Sequence, residues 1–246
     1  SFKYFKKLDG LEEIHSTYIT KYLYSLINSG NFNQAFNFSK KLEREKIDSF
    51  ESNLIIGIQY LKNSKYDLSS KYFDKAKNKP YSSTLDSYVI NTLSVWSNLK
   101  DKNLMSAKKD LNKLDNRLEN LKKIQNVFLN CFYRSENTEA SFIDLISDKK
   151  TDFSRYNYFY AKYLVSIEKK SQAKIIIKKA LEDYPRNLLL NQLRIDLERS
   201  KTKVDFDCKK ETDVIAELLY IAANALSTQT IYQLSNFYLN LSKFLN

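Results

Sequence analysis

The chain has 246 residues with a net charge of +11 at pH 7; 28% of its residues are charged and 43% hydrophobic. With only 3 Gly and 2 Pro, a many-stranded β fold is excluded, because its tight turns draw on glycine, and an all-α chain is expected. A single histidine excludes multi-histidine metal sites, and no apolar run approaches the roughly 18 residues that span a bilayer.

The chain opens within charged sequence, SFKYFKK, without an initiating Met or a signal peptide, and is expected to be a fragment or a processed product of a longer protein. His15 stands beside Glu12 and Glu13, far in sequence from either cysteine. From Ser25 to Leu42 a pattern begins that returns at Gln59 to Lys77. Gly30 aligns with Ser64, Phe32 with Tyr66 and Ala35 with Ser69, each 34 residues apart. Looser copies place small residues at Ala107, Ala140 and Ala173, at steps of 38, 33 and 33. A period of this size predicts stacked helical pairs, none able to bury its apolar face alone. Leu54, Ile55, Ile58 and Leu61 have helical spacing, and Ser69, Phe73 and Ala76 share one face of the next helix. Pro80 and Pro185 are expected to mark helix ends.

Lysines and acids alternate through residues 100–123, as on a solvated helix face. Nucleic-acid binding requires instead a basic stripe on one face. Cys131, in the apolar run VFLNCFY, is expected to pack as a small hydrophobe, and Cys208, in a polar connection, is open to being a free thiol. Lys170, Lys174 and Lys178 share a helix face, either an exposed outer surface or a contact for acidic partners. After Arg186, NLLLNQLRIDLE predicts a further helix; residues 199–211 predict a polar connector, and 212–246 a last helix pair with Thr212 or Asp213 as N-cap.

Gly57, Tyr60, Tyr66, Ser69, Phe73, Ala76 and Pro80 resemble a tetratricopeptide repeat. So do Ala161, Leu164, Ala173, Ala180 and Pro185, and Gly30, Phe32 and Ala35 match its turn and second helix. The resemblance covers about residues 16–187 and departs at Ser94, Asn98, Asn137 and Asp144. It implies a right-handed α-solenoid of stacked antiparallel hairpins: a repeat array over 1–198, the connector, and the 212–246 hairpin stacking on the array. The chain is similar to multi-repeat bacterial tetratricopeptide proteins, which leaves cytoplasm and periplasm both open. A non-repetitive helical bundle is the competing architecture.

The resemblance also implies that first helices line an inner groove. Counting back from the small residues, the groove positions are Tyr24, Ile58, Trp96, Leu129 and Lys162; Leu54 and Tyr158; and Leu61, Leu99 and Phe132. These residues form the candidate partner-binding strip, suited to an apolar or amphipathic peptide with Tyr24 and Trp96 as anchors. Lys62 and Lys100 are isolated cations, so capture of a terminal carboxylate is not expected. No phosphate-cradling loop can be assembled from Gly10, Gly30 and Gly57. The reading is therefore a non-catalytic scaffold that binds a protein or peptide segment, with no cofactor and no metal. The alternative is a basic helical module binding nucleic acid or an acidic polymer.

Overall fold

In a computed structural model of the protein, residues 16–81, 83–199 and 206–246 are described. Gly10, Glu12, Glu13, His15 and residues 200–205 of the expected connector lie outside them. The described residues are all-α, with thirteen α-helices and no strand. In chain order these are α1 (Ser16–Asn28), α2 (Phe32–Arg44), α3 (Phe50–Lys62), α4 (Tyr66–Lys77), α5 (Thr84–Ser97), α6 (Leu104–Asn112) and α7 (Glu119–Phe132). There follow α8 (Thr138–Ser147), α9 (Tyr156–Ser166), α10 (Lys170–Asp183), α11 (Leu188–Glu198), α12 (Glu211–Thr228) and α13 (Tyr232–Leu245). No helix among the described residues is long and apolar enough to cross a membrane.

The chain divides into two compact units. One takes its described residues from Ser1–Lys102 and Glu211–Asn246, the other from Asn103–Lys210. This division differs from the expected one: it falls between α5 and α6, and it returns the C-terminal helix pair to the N-terminal helices. In the first unit α1 to α4 pack each on the next, and α4 packs on α5. In the second unit α6 to α11 follow the same sequential order.

One turn recurs in both units. Gly30, Ser64, Arg134, Glu168 and Thr230 all have positive φ, between 52° and 74°. Each follows the first helix of a pair, and the next residue's N–H reaches back to a carbonyl five residues earlier, as from Asn31 to Leu26 and from Lys65 to Tyr60. This left-handed closure satisfies carbonyls at the helix end. Only Gly30 adopts it without the steric cost that a side chain brings. The α4 and α10 helices end just before Pro80 and Pro185, as expected. Glu211 already belongs to α12, so Thr212 and Asp213 lie within its first turn instead of capping it.

Within pairs, small residues set how closely helices approach. At Gly57 a Cβ would lie 2.4 Å from Phe73 Cε1, so glycine is required for α4 to seat its ring on α3. The Ser69 hydroxyl donates to the Gly57 carbonyl at 2.9 Å, and the Ser235 hydroxyl donates to the Ala223 carbonyl at 2.8 Å. Both bonds span 12 residues, so α12–α13 is joined as α3–α4 is. Ala35, Ser69, Ala107 and Ala173 are fully buried. Ala140 is exposed, and Thr138 takes the buried place in α8, with Phe142 and Leu145 on the same face. The spacing of these three equals that of Ser69, Phe73 and Ala76, so the fourth copy is read correctly two residues earlier.

Between α2 and α4, Glu43 accepts hydrogen bonds from Lys40, Lys75 and the Tyr72 hydroxyl, the last at 2.8 Å. Burial raises the Glu43 carboxyl, but these donors outweigh it and hold the group at about 2, below its ordinary value. A depressed carboxyl contributes stability above its unfolded range and loses it as pH falls through the folded value. Wild type is therefore expected to weaken as pH falls from about 4.5 toward 2, and Glu43→Gln to lose that part of the slope. Urea titrations of both proteins across this range measure the difference.

Candidate functional site

The candidate strip sits on α1, α3 and α5 in the first unit, and the chain's own C-terminal helices lie against that face. The α13 helix packs on α1 and α3, and α12 packs on α5. Tyr24 meets the Phe237 ring at 4.7 Å, and Phe32 stacks on Phe244 at 4.4 Å. Lys62 Nζ donates to the Leu245 carbonyl at 2.8 Å and lies 5.8 Å from the centre of the Phe244 ring. The Tyr66 hydroxyl reaches Glu211 at 3.3 Å, and Asn240 reaches Asn28 at 3.4 Å.

One polar lock fixes the register of this contact. Asp86 is only 3% exposed; its carboxylate accepts the Tyr238 hydroxyl at 2.5 Å and the Ser83 hydroxyl at 2.9 Å. Ser83 in turn accepts the Asp86 N–H as N-cap of α5. A buried carboxylate is tolerated where such donors replace water. Burial, then Asp86, raises the Tyr238 phenol far above its ordinary value. Burial, then Glu51 and Asp86, does the same to Tyr24. Both phenols therefore stay protonated near neutral pH, and Tyr238 is held as the donor to Asp86.

Each expected strip residue can now be placed. Leu54, Ile58 and Leu61 are fully buried, Trp96 is 1% exposed and Leu99 is 2% exposed. These side chains are core of the first unit and present no surface to an outside partner. Tyr24 is half-buried under Phe237. In the second unit Leu129 is fully buried and Tyr158 is buried, while Phe132 and Lys162 keep partial exposure. Lys162 lies 6.0 Å over the Tyr158 ring. The strip is thus not one open surface: its apolar members are consumed by helix packing and, on α1, by the returning hairpin.

The second unit is closed by a different device. Phe206 places its ring 4.5 Å from Phe159 and 5.5 Å from Phe128. Cys208, two residues on, is disulfide-bonded to Cys131 of α7, with Cα atoms 5.9 Å apart. Cys208 is therefore no free thiol, and Cys131 is more than a small hydrophobe. Asp207 accepts the Lys209 N–H on a side-chain oxygen and the Lys210 N–H on its carbonyl, both at 2.9 Å. Phe206–Lys210 forms a short strap across α7 and α9. The space left beside it, against Lys162 and Tyr163, is about 10 Å³, room for no more than about one water.

The open concavity of the second unit lies elsewhere. Between α10 and α11 is a groove of about 630 Å³ with Ile177, Leu181 and Leu197 among its lining residues and Lys174, Lys178 and Arg194 along it. Sequence reasoning missed this groove, although it singled out Lys170, Lys174 and Lys178; all three are exposed. The described residues contain no group of three or more His, Cys, Asp or Glu side chains placed to hold a metal ion. No family model matches the chain, and no curated protein or solved structure does either.

Proposed function

We propose that this chain is a non-catalytic helical-repeat scaffold of the tetratricopeptide type that docks a protein partner, with its inner groove already occupied by its own C-terminal segment. The observation that carries this reading is the seating of α12–α13 on α1, α3 and α5. A face that accepts an amphipathic helix pair through Phe237, Tyr238 and Phe244 has the chemistry expected of a peptide-binding groove. Support for the repeat architecture comes from the recurring left-handed turn and from the matched Ser69–Gly57 and Ser235–Ala223 bonds. With the inner positions used internally, a partner has to meet an outward surface. The charge of +11 then acts mainly on association rate and on the sign of the partner.

Affinity capture from the source cells after nuclease treatment, at low and high salt, tests this. A discrete protein retained at both salts is expected, since apolar burial is little affected by screening. If only nucleic acid is captured before nuclease treatment and salt releases it steeply, the basic-module reading replaces this one. Capture of neither overturns both.

A further inference from the structure

We infer that the groove between α10 and α11 is a docking site for an amphipathic helix of a partner protein that carries acidic residues in its first turns. The inference rests on the scaffold reading above and names the kind of partner it takes.

Its first support is an unfilled position. The first helices α1, α3, α7, α9 and α12 each pack on the helix that follows, in α1–α2, α3–α4, α7–α8, α9–α10 and α12–α13. The α11 helix packs on α9 and α10, yet among the described residues the next helix in sequence, α12, belongs to the other unit. The place beside α11 that a second helix would take is the groove. Its floor is the buried pair Ile177 and Leu197, and the apolar surface it still offers comes from half-buried Leu181 and exposed Pro185. The volume of about 630 Å³ falls in the size range of clefts that take a ligand or a row of side chains.

Charge selects among amphipathic helices. Lys174 and Lys178 stand one turn apart on the groove's α10 wall, and among the described residues neither is engaged in a salt bridge. On the opposite wall Arg194 already has a partner in Glu198, 3.9 Å away. Glu182 lies toward the other end of α10. The positive charge of this wall therefore sits at the fifth and ninth of the fourteen residues of α10, before Glu182 near its end. A second helix antiparallel to α11 runs alongside α10 in the same direction, bringing its own first turns to these lysines. Acidic residues there gain twice, from the lysines and from the helix dipole.

The test uses a fluorescein-labelled synthetic 14-residue helix peptide with the apolar spacing of Thr138, Phe142 and Leu145 and with Glu flanking its first two turns. A second peptide has Lys in place of each Glu. Fluorescence anisotropy against the whole chain is expected to show the acidic peptide binding about tenfold more tightly. Lys174→Glu combined with Lys178→Glu should reverse the preference, and an unchanged melting curve would show that the fold is intact, as expected for two exposed positions. Lys71→Glu, on exposed α4 surface, should leave the preference as it is. Equal affinity of the peptides, binding of neither, or indifference to the charge reversal overturns the inference. If a captured cellular partner persists with the double variant, the scaffold reading stands and this groove is not its site.

Discussion

Trp96→Ala is expected to lower the stability of the first unit by about 3–5 kcal/mol, the cost of emptying a large buried site that its surroundings refill incompletely. Trp96 is 1% exposed, with fully buried Leu93 on the same helix and 2%-exposed Leu99 just past its end. Its helix packs on both α4 and α12. A void there loosens the helix that both neighbours pack on. Urea unfolding followed by circular dichroism should show a lower midpoint with an unchanged slope. A loss below about 1 kcal/mol, with partner capture abolished, would return Trp96 to the exposed binding role that its position in the inner-groove series suggests.

The second large effect is expected from the disulfide. Replacing Cys131 and Cys208 by Ser opens a loop closed across 77 residues of sequence. The chain-entropy account assigns such a crosslink about 4–5 kcal/mol, and removals from natural domains commonly cost about 2–5. The strap has little else to hold it: the Phe206 ring against two neighbours and a tight turn around Asp207. The double variant should therefore lose stability in the second unit and become sensitive to protease at Phe206–Lys210, while the first unit melts as before. Intact-mass analysis after alkylation of the unreduced protein provides the chemical check. Two alkylated thiols, together with unchanged stability in the variant, would contradict the pairing. Persistence of the bond also requires an oxidising environment during maturation.

How much of this was legible in the sequence depends on the range of the interaction. The helices and their pairing follow from local spacing: Ser69, Phe73 and Ala76 lie on one buried face, as their intervals require. The all-α outcome follows from the scarcity of glycine, and yet the recurring turn uses Ser64, Arg134, Glu168 and Thr230 where glycine would be the easier residue. The turn is thus imposed by packing of the helices it joins, and residue type alone does not reveal it. In α8 the eye is drawn to Ala140, the conventional small residue, whereas burial selects Thr138. The spacing to Phe142 and Leu145 carried that signal.

Most apolar members of the candidate strip are buried, where an open surface was expected. Periodicity separates one face of a helix from the other, but it cannot say that a segment some 150 or 200 residues later will lie on that face. Asp86 finds Tyr238, and Asn28 finds Asn240, at separations of 152 and 212 residues. The cysteine pairing was hidden in the same way, since two cysteines that far apart leave no spacing rule to read. The lysines of α10 show the converse. Their shared face was evident, and only the position of α11 shows that two of them border an apolar groove.

The C-terminal helices pack into one unit with the N-terminal ones, with α13 on α1 and α3 and α12 on α5. Native-state hydrogen exchange measures this directly. The account predicts that amides of α13 are protected to the same extent as those of α3 and open with them in one cooperative step, because the two helices share a core. Amides of α12 and α13 exchanging orders of magnitude faster than those of α3, with α3 still protected, would mean that the hairpin visits this face without being part of it, and would contradict the account.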